Sequence, residues 1–95
     1  MATELEGRDP VLRLYRGVVR QAAGHLTEAD QDFRKAIELD PYYAAPYYFL
    51  ATNRQVLGDT AAAVRQYREF LRRAARADAS RSQAQRQLTA LGVAP

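Results

Sequence analysis

Apolar residues recur every three or four positions along most of the chain, which is the period of an amphipathic α-helix. The pattern predicts five helices, over about 10–23, 28–39, 45–57, 60–77 and from 79 or 81 to 92. No segment alternates apolar and polar residues in the manner of a half-buried strand. The predicted fold class is therefore all-α, and the short connections predict that neighbouring helices pack antiparallel.

Turn and cap residues mark where these helices begin and end. Asp9 is a good N-cap, and Pro10 fits the first helical position, where its missing N–H costs nothing. Thr27 is the expected cap of the second helix. Asp40-Pro41 ends that helix, because the residue before a proline is biased away from helical angles. A glycine ends three of the others: Gly24, Gly58 and Gly92.

A longer period of 34 residues accompanies the helical one. The repeated positions are Gly24 and Gly58 (with Gly92 one period later), Ala29 and Ala63, Phe33 and Tyr67, and Gly17 and the equally small Ala51. A fixed period of this size is typical of helical solenoids, whose units stack because none can bury its apolar face alone. This period favours a binding surface for another molecule, in preference to a catalytic site.

These repeated positions resemble those of the tetratricopeptide repeat family, whose unit is a 34-residue helical hairpin. The resemblance covers residues 10–77 and implies one domain, a short right-handed α-solenoid. It divides the chain into a flexible N-terminus at 1–9, one repeat at 10–43, a second at 44–77 and a C-terminal capping, solvating helix at 78–92. Two repeats are few, since three or more are usually needed for stability. We therefore expect a partner, or a homodimer, to complete the fold.

Several positions depart from the family pattern. Arg13, Arg16 and Arg20 replace an aromatic and leucines of the first repeat, and they lie on one face of the first helix. They predict a polar outer face at the start of the array. Phe70 and Ala75 replace a small residue and a proline in the second repeat, which predicts that the fourth helix runs on to about residue 77.

The resemblance implies a concave groove formed by the first helix of each hairpin and by the last helix. By position, its lining residues are Val11, Leu14, Tyr15, Val18, Tyr48, Phe49, Thr52, Gln55, Ser82, Gln83 and Arg86. Aromatic side chains supply much of the energy at interfaces, so this groove predicts an apolar peptide or helix as ligand. The alternative is that several of these residues pack against each other or beneath the fifth helix. The carboxylate clamp known in the family is excluded, because Leu14, Val18 and Phe49 occupy its positions.

Charge is unevenly distributed along the chain. The net charge is +3, and residues 65–95 carry seven arginines against two acidic residues. A basic face is predicted along the fourth helix, at Arg65, Arg68, Arg72 and Arg76. It is either an ordinary solvated face or a site for an acidic protein, a nucleic acid backbone or an anionic lipid. No aromatic residue interleaves with these arginines, so base stacking is not indicated.

Candidate catalytic groups are scarce. The chain has no cysteine and one histidine, His25, which the pattern places in a turn. The acidic residues Glu28, Asp30 and Asp32 are expected to interact with the N-terminus of the second helix. No acid–base pair, nucleophile–base pair or metal-ligand set emerges, so the predictions are no enzyme, no cofactor and no metal. The absence of cysteine fits a reducing cytoplasm, and no apolar run is long enough to span a membrane.

The function that these observations favour is protein–protein interaction. The chain would serve as an adaptor, scaffold or assembly factor that binds a protein or peptide in its groove, or that self-associates through it. The alternative is an anion-binding accessory protein that uses the arginines of the fourth helix. Overall charge this small does not favour nucleic acid as the partner.

Overall fold

Five α-helices account for most of the protein. In the computed structural model, which describes residues 8–93, they are α1 (Pro10–Ala22), α2 (Leu26–Leu39), α3 (Ala45–Val56), α4 (Thr60–Arg73) and α5 (Ser80–Ala90). The predicted all-α class and its five helices are confirmed. Most of the predicted flexible N-terminus, residues 1–7, lies outside the described residues.

Most helix ends follow the signals in the sequence. The Asp9 carboxylate accepts a hydrogen bond from the backbone N–H of Val11 at 2.9 Å, as expected of an N-cap. The three repeated glycines follow the ends of α1, α3 and α5 at φ values of 84–85°, a region that favours glycine. The expected cap at Thr27 is wrong, because α2 begins at Leu26 and His25 occupies the cap position without a capping hydrogen bond.

Helix α4 is shorter than predicted. It ends at Arg73 rather than near residue 77, and Ala74 is extended at φ −68° and ψ 142°. The guanidinium of Arg81 donates hydrogen bonds to the carbonyls of Leu71 at 2.7 Å and Ala74 at 3.0 Å. A side chain from α5 thus satisfies carbonyls that another helical turn would have used. Arg76 consequently lies in the α4–α5 connection and not on α4.

The helices pack mainly on their neighbours in sequence. The most extensive contacts join α1 to α2 and α3 to α4, which makes two helical hairpins. The hairpins meet through α2 and α3, α1 also touches α3, and α5 packs on α4. Apolar side chains form two adjoining clusters, one of Leu14, Ala29, Phe33 and Leu50, the other of Tyr47, Ala51, Ala63, Tyr67, Phe70, Ala84 and Leu88.

Close approach within the first hairpin depends on Gly17. A Cβ atom at this position would lie 2.5 Å from Cε1 of Phe33, well inside van der Waals contact. The Phe33 ring itself has no exposed surface. Gly17 therefore lets α1 lie directly on the aromatic ring at the centre of the hairpin, which fixes how α1 is presented to solvent.

Candidate partner-binding surface

Side-chain amides link the three odd-numbered helices. Gln21 of α1 donates to the Thr52 hydroxyl of α3 at 3.0 Å, and Gln55 of α3 donates to the Gln87 side-chain oxygen of α5 at 3.0 Å. These contacts hold α1 beside α3 and α3 beside α5. We call the predicted groove residues on these helices the odd-helix face.

The structure gives the predicted members of this face very different exposures. Tyr15 is 62% exposed and Val11 38% exposed, both on α1. Ser82 and Arg86 of α5 are also exposed. The half-buried members are Val18, Tyr48, Phe49, Thr52 and Gln55.

Leu14 does not contribute usefully to a groove. It is 3% exposed and packs with Phe33 and Leu50 in the core of the first hairpin. Its expected role in lining the groove is therefore corrected to a core role, because it lies where α1 contacts the buried side of α2 and α3.

A cleft of about 260 Å³ opens among α3, α4 and α5. Its lining includes four of the predicted groove residues, and the full set is Tyr48, Thr52, Gln55, Val56, Tyr67, Gln83 and Gln87. The Tyr67 hydroxyl donates to the side-chain oxygen of Gln55 at 2.8 Å. Burial raises the pKa of Tyr67 to about 12, so this hydroxyl stays a donor at neutral pH. Three of the seven lining side chains are amides, so we call this the amide-lined cleft.

The aromatic residues of α3 partly pack against each other. The Tyr48 ring meets Phe49 edge-on at 5.5 Å between centroids, and it meets Phe70 at 5.3 Å. Phe49 stacks on Phe33 at 5.9 Å. The rings of Tyr48 and Phe49 therefore keep only part of their surface for a ligand. This agrees with the alternative that several predicted groove residues pack against each other.

Three arginines of α1 converge on one buried carboxylate of α2. The two oxygens of Asp32 accept hydrogen bonds from Arg16 at 2.8 and 3.0 Å, from Arg13 at 3.1 Å and from Arg20 at 3.1 Å. The Asp32 side chain is 1% exposed. Burial alone would raise the pKa of this carboxyl, but the hydrogen bonds and charges of the arginines outweigh it and hold the pKa below its usual value. We call these four side chains the Asp32 cluster.

The Asp32 cluster corrects two predictions. The arginines of α1 do not simply form a polar outer face, since all three turn toward α2. Nor is Asp32 a group at the N-terminus of α2; it lies in the middle of that helix. The neighbouring Asp30 is also buried, and its carboxylate binds Arg54 of α3 at 2.7 Å. The signal was present in the sequence, because Asp32 falls on the same helix face as the apolar residues Ala29 and Ala36.

A second group of arginines lines a cavity between α4 and α5. Its volume is about 410 Å³, and its lining residues are Arg68, Leu71, Arg72, Arg81 and Gln85. Of the predicted basic face, Arg68 and Arg72 border this cavity and Arg65 is exposed on α4. Arg72 also pairs with Glu69 at 3.3 Å.

Within residues 8–93, no three side chains of His, Cys, Asp or Glu lie together as metal ligands would. None of the helices in that range has the length and apolar character needed to cross a bilayer.

No protein-family profile matches the chain, and no curated protein is similar to it in sequence. The description of the protein as a five-helix all-α fold with two packed helical hairpins rests on its own geometry.

Proposed function

We propose that this protein is an interaction module that binds a segment of another protein on the odd-helix face, as an adaptor, scaffold or assembly factor. The observation that carries the proposal is the pair of amide links, Gln21–Thr52 and Gln55–Gln87. They link α1 to α3 and α3 to α5, which supports a surface that runs from exposed Tyr15 to the amide-lined cleft. Such a surface suits an extended peptide or a helix.

We further propose that the fold is a short solenoid of the tetratricopeptide type. Three matched pairs support it at a spacing of 34 residues: Gly24 and Gly58 have φ values of 85° and 84°, Ala29 and Ala63 are both fully buried, and so are Phe33 and Tyr67. Equivalent residues in the two hairpins thus have equivalent environments, as a repeat requires.

Site-specific photocrosslinking in native host cells tests the interaction. A photoreactive phenylalanine analogue would be placed at Tyr15 or at Ser82, both exposed on the odd-helix face. The matched control is Glu38, which is exposed on α2. We expect Tyr15 and Ser82 to yield the same discrete crosslinked partner, and Glu38 to yield none of it. Equal crosslinking from all three positions, or none from any, would contradict the proposal.

The size of the crosslinked product also tests self-association. A homodimer through the odd-helix face would give a product of twice the chain mass of 10.7 kDa. A product of any other mass that contains a second protein indicates a heterologous partner.

The arginine-lined cavity favours a second candidate function, the binding of an anionic ligand. Arg68, Arg72 and Arg81 border it, and its lining includes no carboxylate. A labelled single-stranded RNA would be the probe, titrated at several salt concentrations, because neutralised phosphates make binding steeply salt-dependent. Loss of binding in an Arg68→Gln/Arg72→Gln variant, but not in Arg34→Gln on α2, is the expected result. No binding at low salt would end this candidate.

A further inference from the structure

The outward side of α1 carries a contiguous apolar stripe. Its members are Val11, Leu12, Tyr15 and Val19, which are 38%, 43%, 62% and 68% exposed. At the spacing of an α-helix these four positions fall within an arc of about 100°. They are four of the seven large apolar side chains exposed in the described residues. Scattered exposed apolar residues need no explanation, whereas a contiguous group marks an interaction site.

The Asp32 cluster borders this stripe. Arg16 follows Leu12 by one helical turn and precedes Val19 by three residues, and its side chain remains 51% exposed. Three guanidinium groups share the single negative charge of Asp32, so the cluster carries a net charge of +2. Among the residues that the structure describes, Asp32 supplies the only carboxylate within 4.0 Å of these three guanidiniums. Positive charge therefore remains for a further acidic group.

We propose that the α1 stripe and the Asp32 cluster together dock an acidic amphipathic helix of a partner protein. Apolar side chains of that helix cover Leu12, Tyr15 and Val19. Aspartate or glutamate residues on its flank reach Arg16 and Arg20, whose planar groups form paired hydrogen bonds with carboxylates. The inference rests on the proposed function as an interaction module. The stripe shares Val11 and Tyr15 with the odd-helix face, and the inference adds Leu12, Val19, the Asp32 cluster and the chemistry of the partner.

Charge favours a heterologous partner over a second copy of this chain. Two copies that met through α1 would bring two clusters of net positive charge together. Contact between α1 of one copy and residues 65–95 of a second copy would also bring positive charges together, because residues 65–95 carry seven arginines and two acidic residues. Like charges facing each other across an interface are unfavourable, and opposite ones set partner choice.

Selection from a displayed library tests the inference on the full chain. The probes are random peptides of about 16 residues, roughly four helical turns. Selected peptides are then labelled and titrated against the wild type and three variants, with binding measured by fluorescence anisotropy. The variants are Leu12→Gln/Val19→Gln, Arg16→Gln and the control Leu57→Gln, which removes a side chain 46% exposed just after the end of α3.

Selected peptides are expected to combine apolar residues at helical spacing with a flank of Asp or Glu. Leu12→Gln/Val19→Gln should weaken their binding by about tenfold or more, as for interface anchors, and Leu57→Gln by less than about twofold. Arg16→Gln should weaken binding and lessen its dependence on salt. Selected peptides without an acidic bias, or equal losses in the stripe and control variants, would overturn the inference.

Two further results separate this inference from the proposed function. Peptides that lose affinity on Gln83→Arg in the cleft, and keep it in Leu12→Gln/Val19→Gln, would overturn the inference and leave the odd-helix face as the binding site. Light scattering that gives a dimer for the wild type and a monomer for the stripe variant would assign the stripe to a second copy. Failure to select any peptide would contradict both proposals.

Discussion

Gly17 has no room for a larger side chain where α1 packs on Phe33. In Gly17→Ala the added methyl carbon would meet the Phe33 ring at 2.5 Å. Alanine gains about 1 kcal/mol of helix propensity over glycine, but overpacking typically costs about 1–3 kcal/mol. We expect a net loss of stability, measured as the free energy of unfolding in urea. Gln31→Ala, at an exposed position of α2, is the control. A variant at position 17 that equals or exceeds the wild type would show that α1 can move away from the ring.

Asp32 is the second residue whose replacement has a defined cost. Asp32→Asn leaves three guanidiniums without their negative partner. Because these arginines are 25–51% exposed, water solvates part of their charge, and we expect a loss of about 1.5–3 kcal/mol, less than for a fully buried pair. Glu28→Gln, on an exposed position of the same helix, should change stability by less than about 0.5 kcal/mol. Urea unfolding at neutral pH measures both. Similar small effects in the two variants would mean that the arginines are well solvated without Asp32.

The same carboxylate predicts how stability depends on pH. The folded pKa of Asp32 lies below its value in the unfolded chain, about 3.9, so its contribution is fully present above that pH. It is lost as the pH falls through the folded pKa, because the unfolded chain then binds the proton more readily. Unfolding free energies of wild type and Asp32→Asn should therefore converge as the solution is acidified below about pH 4. A constant difference across the acid range would contradict this.

The sequence did not predict the environment of a charged side chain whose ion-pair partner lies on another helix. The spacing of Arg13, Arg16 and Arg20 correctly places them on one face, but it cannot tell whether that face meets water or a buried acid. Periodicity places Asp32 beside Ala29, yet an acid near the start of a helix has a simpler explanation in the helix dipole. The geometry of the hairpin decides between the two.

At the scale of elements, helix boundaries set by local residues were predictable. Asp9-Pro10 and Asp40-Pro41 act within one turn of their own positions, so the start of α1 and the end of α2 agree with the sequence. The end of α4 depends on Arg81, seven or more residues further along. No residue near Arg73 in the sequence marks this helix end, which is why the sequence predicts a helix that continues to about residue 77.

The hydrogen bonds of Arg81 lead us to expect that α5 is the first helix to unfold locally. Arg81 ties α5 to the end of α4, and α5 otherwise buries only Ala84 and Leu88. In Arg81→Ala, amide hydrogens of α5 should exchange faster by about tenfold or more, since two hydrogen bonds from a charged donor are worth about 1.5–3 kcal/mol each. Amides of α2 serve as the internal control and should keep their rates. Uniformly faster exchange would instead mean that α5 and the hairpins unfold together.

At the scale of the whole molecule, shape and charge bear on assembly. The described residues extend over 46 × 28 × 18 Å, with arginines on α1 at one end and on α4 and α5 at the other. The short repeat array predicted a homodimer, but this charge distribution leads us to expect a monomer of 10.7 kDa at low salt. Light scattering over a concentration series decides. A mass that doubles with concentration would favour the dimer, and added salt should then strengthen it by screening the arginines.

The packing of each helix mainly on its neighbours in sequence has a kinetic consequence. Contacts of short sequence separation require only small loops to close, and helical proteins of this kind fold in about microseconds to milliseconds. Either hairpin can serve as the nucleus, because most members of each buried cluster come from one hairpin. Because α1 and α2 precede α5 in the chain, the first hairpin should fold before α5, so that the α1 surface is complete before α5 has formed.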